Sequence, residues 1–207
     1  MSAGYKVNPS FLFRFFNKEY LVCDMGSATK TLYLTFDDGP DPEVTPAVLA
    51  LLKERNARAT FFCLGQNVKK HPDLFQSIAS DGHAIGNHSF SHFDGWKTPA
   101  GEYAENISRC EPLFQTRLFR PPYGRFNLSQ YFLLRKKYKF IMWSVMSGDF
   151  HRKTTPAQCL SNVLQNSKPG SIIVFHDSLK SKENVLNTLP LVLDHFLKEG
   201  FSFEKIG

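Results

Sequence analysis

From residue 31 onward the chain alternates between two hydrophobic periods. Short runs rich in β-branched and aromatic residues occur at 31–36, 59–65, 83–87, 118–120, 138–145 and 171–175, and a last one, "FSFEKI", at 201–206; these read as strands. Between them lie "PEVTPAVLALLKERN", "NVKKHPDLFQSIASDG", "PAGEYAENISRCEPLFQ", "LSQYFLLRKKY", "PAQCLSNVLQNS" and "NVLNTLPLVLDHFLKEG". Several of these carry apolar residues three and four apart, as amphipathic helices require. Gly82 and Gly200 stand where helix C-caps belong. Strand–helix–strand repetition predicts parallel strands joined by right-handed crossovers. The polar clusters "DDGP", "GQN", "NHSFSH", "RPPYG", "SGDF" and "HDS" each follow a strand, and in a parallel β/α barrel such loops form the active-site rim. The region after residue 30 is shorter than the ~250 residues of eight full units, so a barrel with fewer strands, incomplete or distorted, is expected. Residues 1–30 are read as an extension packed on the 31–207 domain, with a helix over "NPSFLFRFFNKE" and a strand over "YLVCDM".

Composition narrows this picture only slightly. A chain of 207 residues with 42% apolar content supports one large core and therefore one domain. Its 20 Phe and 7 Tyr favour a strand-rich interior or an aromatic-lined groove. The net charge is +6, from 25 basic and 19 acidic residues. The densest basic cluster, "RKKYK" at 135–139, solvates a predicted helix end, so no nucleic-acid partner is expected. Cys23, Cys63, Cys110 and Cys159 are scattered without a C-x-x-C pair, which gives neither a zinc ribbon nor a disulfide framework; Cys63 reads as a small buried hydrophobe. The run "FLFRFF" is interrupted by Arg14 and too short for a secretory leader. No run approaches the ~20 apolar residues of a membrane span. A monomer without a transmembrane segment, cytoplasmic by default, is expected.

Candidate chemistry begins at "TLYLTFDDGPDP", residues 31–42, where a strand ends in the adjacent acids Asp37 and Asp38 before Gly39 and Pro40. A turn explains the residue types but not two like charges. In a flat strand the two would face opposite ways; at a bent strand end both can address one pocket. "HSFSH" puts His88 and His92 four apart. On a helical turn they share a face, as in H-E-x-x-H zinc sites, although Ser89 replaces that motif's glutamate. Spacing alone leaves two surface histidines equally open. With the acid pair, one carboxylate completes a His2Asp metal site and the other serves as base on water. "LFRPPYG" offers Arg120 to hold a carboxylate ionised and backbone N–H groups near Tyr123 to face an oxyanion; a plain proline-rich turn is the alternative. "SIIVFHDS" ends an apolar strand in His176, structural if alone and a general acid if beside a metal site. Asp149, in "SGDF", is a candidate to orient it.

The ordered set "TFDDGP", "HSFSH", "RPPYG", "SGDF" and "VFH" resembles the polysaccharide deacetylases of the NodB-homology (carbohydrate esterase 4) family, over roughly residues 30–206. The resemblance implies a distorted, incomplete (β/α)7-like α/β barrel with parallel strands. It also implies metal-dependent hydrolysis of the N-acetyl amide of an amino-sugar glycan such as peptidoglycan or a chitin oligosaccharide. Under it Asp37 is the base, and Asp38, His88 and His92 bind a divalent metal, zinc by family habit, with cobalt or nickel also admitted. Arg120 positions Asp37, the Tyr123 amide assists at the oxyanion, His176 is the acid and Asp149 its partner. The fourth motif departs from the family's Asp-x-x-Asp-Trp, with Met146 for the first acid and Phe150 for the Trp, and the fifth has Val174 for Leu. These positions shape the acyl pocket in relatives, and Phe150 and Val174 still allow a small one. Alternatives are a deacylase of a lipid-linked amino sugar or small amide, and a non-catalytic glycan-binding homologue. Two His and one carboxylate also hold iron(II) in oxygenases, but such sites need neither the second Asp nor an Arg-held base.

Overall fold

A computed structural model of the protein describes Val7, residues 16–26 and residues 28–207. The helix expected over "NPSFLFRFFNKE" falls largely outside the described residues.

The strands are β1 (Leu21–Val22), β2 (Thr31–Asp37), β3 (Ala59–Cys63), β4 (Ala84–Asn87), β5 (Leu118–Phe119), β6 (Lys139–Ile141), β7 (Val145–Met146), β8 (Ile172–His176) and β9 (Ser202–Phe203). They form one sheet in the order β1-β6-β5-β4-β3-β2-β8-β7, with β9 added beside β2, and every ladder is parallel. The sheet curls into an incomplete barrel. The segment after β1 reaches the start of β8 through an isolated Asp24–Ser171 bridge and a bond from the Met25 N–H to the Gly170 carbonyl.

The helices are α1 (Thr45–Glu54), α2 (Gly65–Lys70), α3 (Pro72–Ser80), α4 (Ala100–Ser108), α5 (Leu128–Leu134), α6 (Pro156–Asn166) and α7 (Lys182–Lys198). The helix expected over residues 67–82 breaks at His71, because Pro72 carries no N–H and disfavours helical geometry in the residue before it. Among the described residues no helix is long and apolar enough to cross a membrane.

The alternation of β2 positions the site. Leu32, Leu34 and Phe36 join Phe61, Ile173 and Phe175 in a core with Val48, Leu52, Val185, Leu189 and Val192 of α1 and α7. Phe36 is in register with Phe61 and Phe175, and its ring stacks on theirs at 5.0 and 6.1 Å, an aromatic row across three central strands. The intervening Tyr33, Thr35 and Asp37 take the other face, where Tyr33 meets the second core of Phe62, Met142, Trp143, Met146, Ile172 and Val174. Period two thus carries the last residue of β2, Asp37, to the inner face.

The expected strand 138–145 is two strands, β6 between β1 and β5 and β7 at the opposite edge beside β8. The chain leaves the ladder after Ile141 because the Arg120 side chain takes the Ile141 and Met142 carbonyls as its own acceptors, each at 2.9 Å.

Candidate active site

Arg120 follows β5 and is completely buried. Its Nη1 donates to Asp37 Oδ1 at 2.8 Å and to Thr35 Oγ1 at 2.7 Å, Nε and Nη2 hold the two carbonyls above, and the guanidinium lies 4.2 Å over the Phe62 ring. With these acceptors in place a buried guanidinium is sustainable, and it holds the buried Asp37 carboxylate in one orientation. Asp37 is in register with His176 on the neighbouring strand β8, so the two side chains leave one face about 4.8 Å apart.

Asp38 turns the other way because its φ is 79°, a left-handed conformation that a following Gly39 and Pro40 accommodate. Asn67 of α2 donates to the Asp38 carbonyl at 2.8 Å. The "HSFSH" segment is not helical, which corrects the helical-turn expectation. Ser89 and His92 both have positive φ, 66° and 59°, and the loop is tied by Ser89 N–H to Asn87 Oδ1 and by His92 N–H to Ser89 Oγ. The irregular backbone still brings both imidazoles to Asp38, whose Oδ1 lies 3.2 Å from His92 Nε2 and 3.6 Å from His88 Nε2. Ligand atoms of the three residues lie within 4.8 Å of one another.

The donor set fits a divalent cation. Asp38 Oδ1 is buried and accepts no hydrogen bond, an orphan that a cation would satisfy. His88 Nδ1 donates to the Arg120 carbonyl at 2.8 Å, which leaves Nε2 with its lone pair toward Asp38, the usual way a ligating imidazole is fixed. Burial pushes His88 down to about 4, against the pull of Asp37. Burial opposes the charge of Asp38, yet the imidazoles of His92, His176 and His88 hold its carboxyl well below the usual carboxylate range.

The opposite wall is His176, at the end of β8. Its Nδ1 donates to Asp149 Oδ1 at 2.8 Å, and its backbone N–H donates to Asp149 Oδ2 at 2.7 Å. Ser147 Oγ adds a third bond to the buried Asp149 carboxylate at 3.0 Å. Burial alone would lower His176, but Asp149 outweighs it and raises the imidazole to about 9. The Phe150 ring meets the imidazole at 5.0 Å. Val174, two residues back on β8, is wholly buried and pairs with Met146.

Tyr123 has φ 59°. Pro121 and Pro122 have no N–H to give, so Tyr123 offers the first amide after Arg120, and among the described residues no carbonyl accepts it. Its exposed ring packs edge-on against His92 at 4.5 Å.

Sequence reasoning left Asp177 unassigned, although "HDS" contains it. Its buried carboxylate accepts from Gly39 N–H at 3.1 Å and Thr45 Oγ1 at 2.6 Å, and burial pushes the group well above the usual carboxylate range. A Cβ on Gly39 would run into this carboxylate, which is the reason for the glycine in "DDGP".

Residues 25–138 match the family profile described as polysaccharide deacetylase. The chain belongs to the polysaccharide deacetylase family. A peptidoglycan-N-acetylglucosamine deacetylase of Bacillus cereus is 39% identical over 152 residues, covering 70% of this chain and 55% of that protein. A chitooligosaccharide deacetylase of Azorhizobium caulinodans is 37% identical over 162 residues, covering 74% of this chain and 76% of that protein. The crystal structure of the Bc1960 peptidoglycan N-acetylglucosamine deacetylase, bound to 4-naphthalen-1-yl-N-oxidanyl-benzamide, superposes with a TM-score of 0.86 at 31% identity and covers 91% of each chain.

Proposed function

We propose that this protein hydrolyses the N-acetyl amide of N-acetylglucosamine units in a glycan, releasing acetate and leaving a free amine, with a divalent metal, zinc by preference, held by Asp38, His88 and His92. The observation that carries the reading is the separation of charge around one mouth: an Arg-held carboxylate, an Asp/His/His cluster and a carboxylate-held imidazole. When bound, the metal supplies Lewis-acid polarisation and a lowered water pKa.

The residues divide the remaining work. Asp37, oriented by Arg120, accepts the proton of the attacking water as its oxygen bonds to the acyl carbon. The Tyr123 N–H stabilises the negative oxygen that develops, a contact of the kind worth ~3–4 kcal/mol. His176, protonated through Asp149, donates its Nε2 proton to the departing nitrogen as the C–N bond breaks. Phe150 flanks that imidazole and, with Val174 beneath, bounds a space suited to a small acyl group.

Peptidoglycan and chitin oligosaccharides share the N-acetylglucosamine unit, and the names of the relatives support this substrate class. The test is acetate release from both glycans by metal-stripped protein reconstituted with zinc, cobalt or nickel. Metal-dependent release from at least one is expected, and release that ignores the metal would overturn the reading.

A further inference from the structure

The loop after His92, residues 93–98, carries a feature that the hydrolytic chemistry leaves unused. Trp96 is 69% exposed, the most exposed large hydrophobic side chain among the described residues. Such exposure commonly accompanies a loose loop, yet this one is firmly held. Asp94 accepts from the Trp96 N–H at 3.0 Å and from Arg125 Nη1 at 2.7 Å. The wholly buried Gln130 donates to the carbonyls of Gly95 and Thr98 at 2.8 and 2.9 Å. Gly95 is pressed so close that a Cβ there would strike the Arg125 carbonyl.

The ring is also linked to the site by a chain of contacts. The Arg125 guanidinium lies 4.8 Å over the Trp96 ring and 5.6 Å over the Tyr123 ring, and Tyr123 in turn packs on His92. One guanidinium therefore separates Trp96 from the aromatic side chain that touches the metal-ligand cluster. A rigidly presented aromatic beside a reaction centre is a binding feature. Its apolar face matches the C–H face of a pyranose, while the half-exposed Arg125 and the exposed Lys97 beside it offer donors to hydroxyls and to an N-acetyl oxygen.

We propose that Trp96, backed by Arg125, is the platform for a sugar unit adjacent to the one being deacetylated, so that the enzyme selects oligomers. The proposal rests on the glycan-deacetylase reading above. Its test compares wild type, Trp96→Ala and Trp96→Phe on the hexamer of N-acetylglucosamine and on 4-nitrophenyl acetate, a small ester that cannot reach the platform. Trp96→Ala should raise KM for the hexamer about tenfold, the ~1.4 kcal/mol of one aromatic contact, with kcat within about twofold. Trp96→Phe should recover most of the loss, and ester hydrolysis should not change. A binding readout accompanies this. Trp96 and the buried Trp143 are the two tryptophans, so hexamer added to Asp37→Asn protein should shift the emission, and the shift should vanish on adding Trp96→Ala. Unchanged KM in Trp96→Ala with wild-type turnover overturns the platform alone. A wild type that shifts its Trp96 emission without releasing acetate upholds the platform and overturns the hydrolytic reading. Neither turnover nor shift overturns both.

Discussion

The two walls of the mouth place one residue type in two chemical states. His88, after β4, and His176, ending β8, both donate through Nδ1 at 2.8 Å. His88 donates to a neutral backbone carbonyl, so burial governs and the imidazole sits at about 4. His176 donates to the Asp149 carboxylate, whose charge overrides burial and takes the imidazole to about 9. A neutral imidazole has a lone pair to give a cation; a charged one has a proton to give a leaving group. The partner's charge, more than burial, separates the two states. Arg120 joins the walls, since its side chain fixes Asp37 while its own carbonyl fixes His88.

The largest break in this arrangement is expected at Asp37, the proposed base. Asp37→Asn should lower kcat for acetate release about 10²–10⁴-fold while metal content, measured by emission spectrometry, stays at the wild-type level. Arg120→Met removes one partner of a buried pair and leaves Asp37 uncompensated, a loss of roughly 3–5 kcal/mol of stability by urea unfolding. Asp149→Asn should make the His176 wall behave like the His88 wall. As the proposed acid His176 works only when protonated, so the wild type should keep kcat/KM up to about pH 9. The variant, with burial no longer outweighed by Asp149, should lose it well below pH 9, moving the alkaline limb of the profile to lower pH. The smallest effect belongs to His83, a buried histidine away from the mouth that accepts the Ala59 N–H on Nδ1. Burial and the nearby Arg58 hold it down at about 4. The unfolded chain takes up this proton below ~6.5 and the folded one only near 4, so its stabilisation is complete above ~6.5 and lost as pH falls. His83→Gln should flatten that acid loss by ~1–3 kcal/mol.

Much of this was legible in the chain. The period-two pattern of "TLYLTFD" places Asp37 on the face opposite Leu34 and Phe36, and the strand-end clusters predict the rim that the parallel sheet assembles. Spacing predicted the meeting of His88, His92 and Asp38, although by the wrong local geometry. Of the five non-glycine residues with positive φ among the described residues, four are Asp38, Ser89, His92 and Tyr123. Such conformations cost of order 1–3 kcal/mol each and are imposed by surroundings rather than by local propensity. Asp177 and Asn67 were missed for a related reason. Their partners lie 138, 132 and 29 residues away, and such contacts leave no periodic trace. The division of 138–145 into two strands was hidden likewise, because its cause is the side chain of Arg120 reaching across the barrel.

The central claim is that the two histidine walls do different work, and metal content with acetate release in His88→Ala and His176→Ala, measured side by side, tests it most directly. His88→Ala should lose both bound metal and turnover, while His176→Ala should keep the wild-type metal content and lose turnover. Loss of metal from His176→Ala, or wild-type turnover in His88→Ala, would contradict the account.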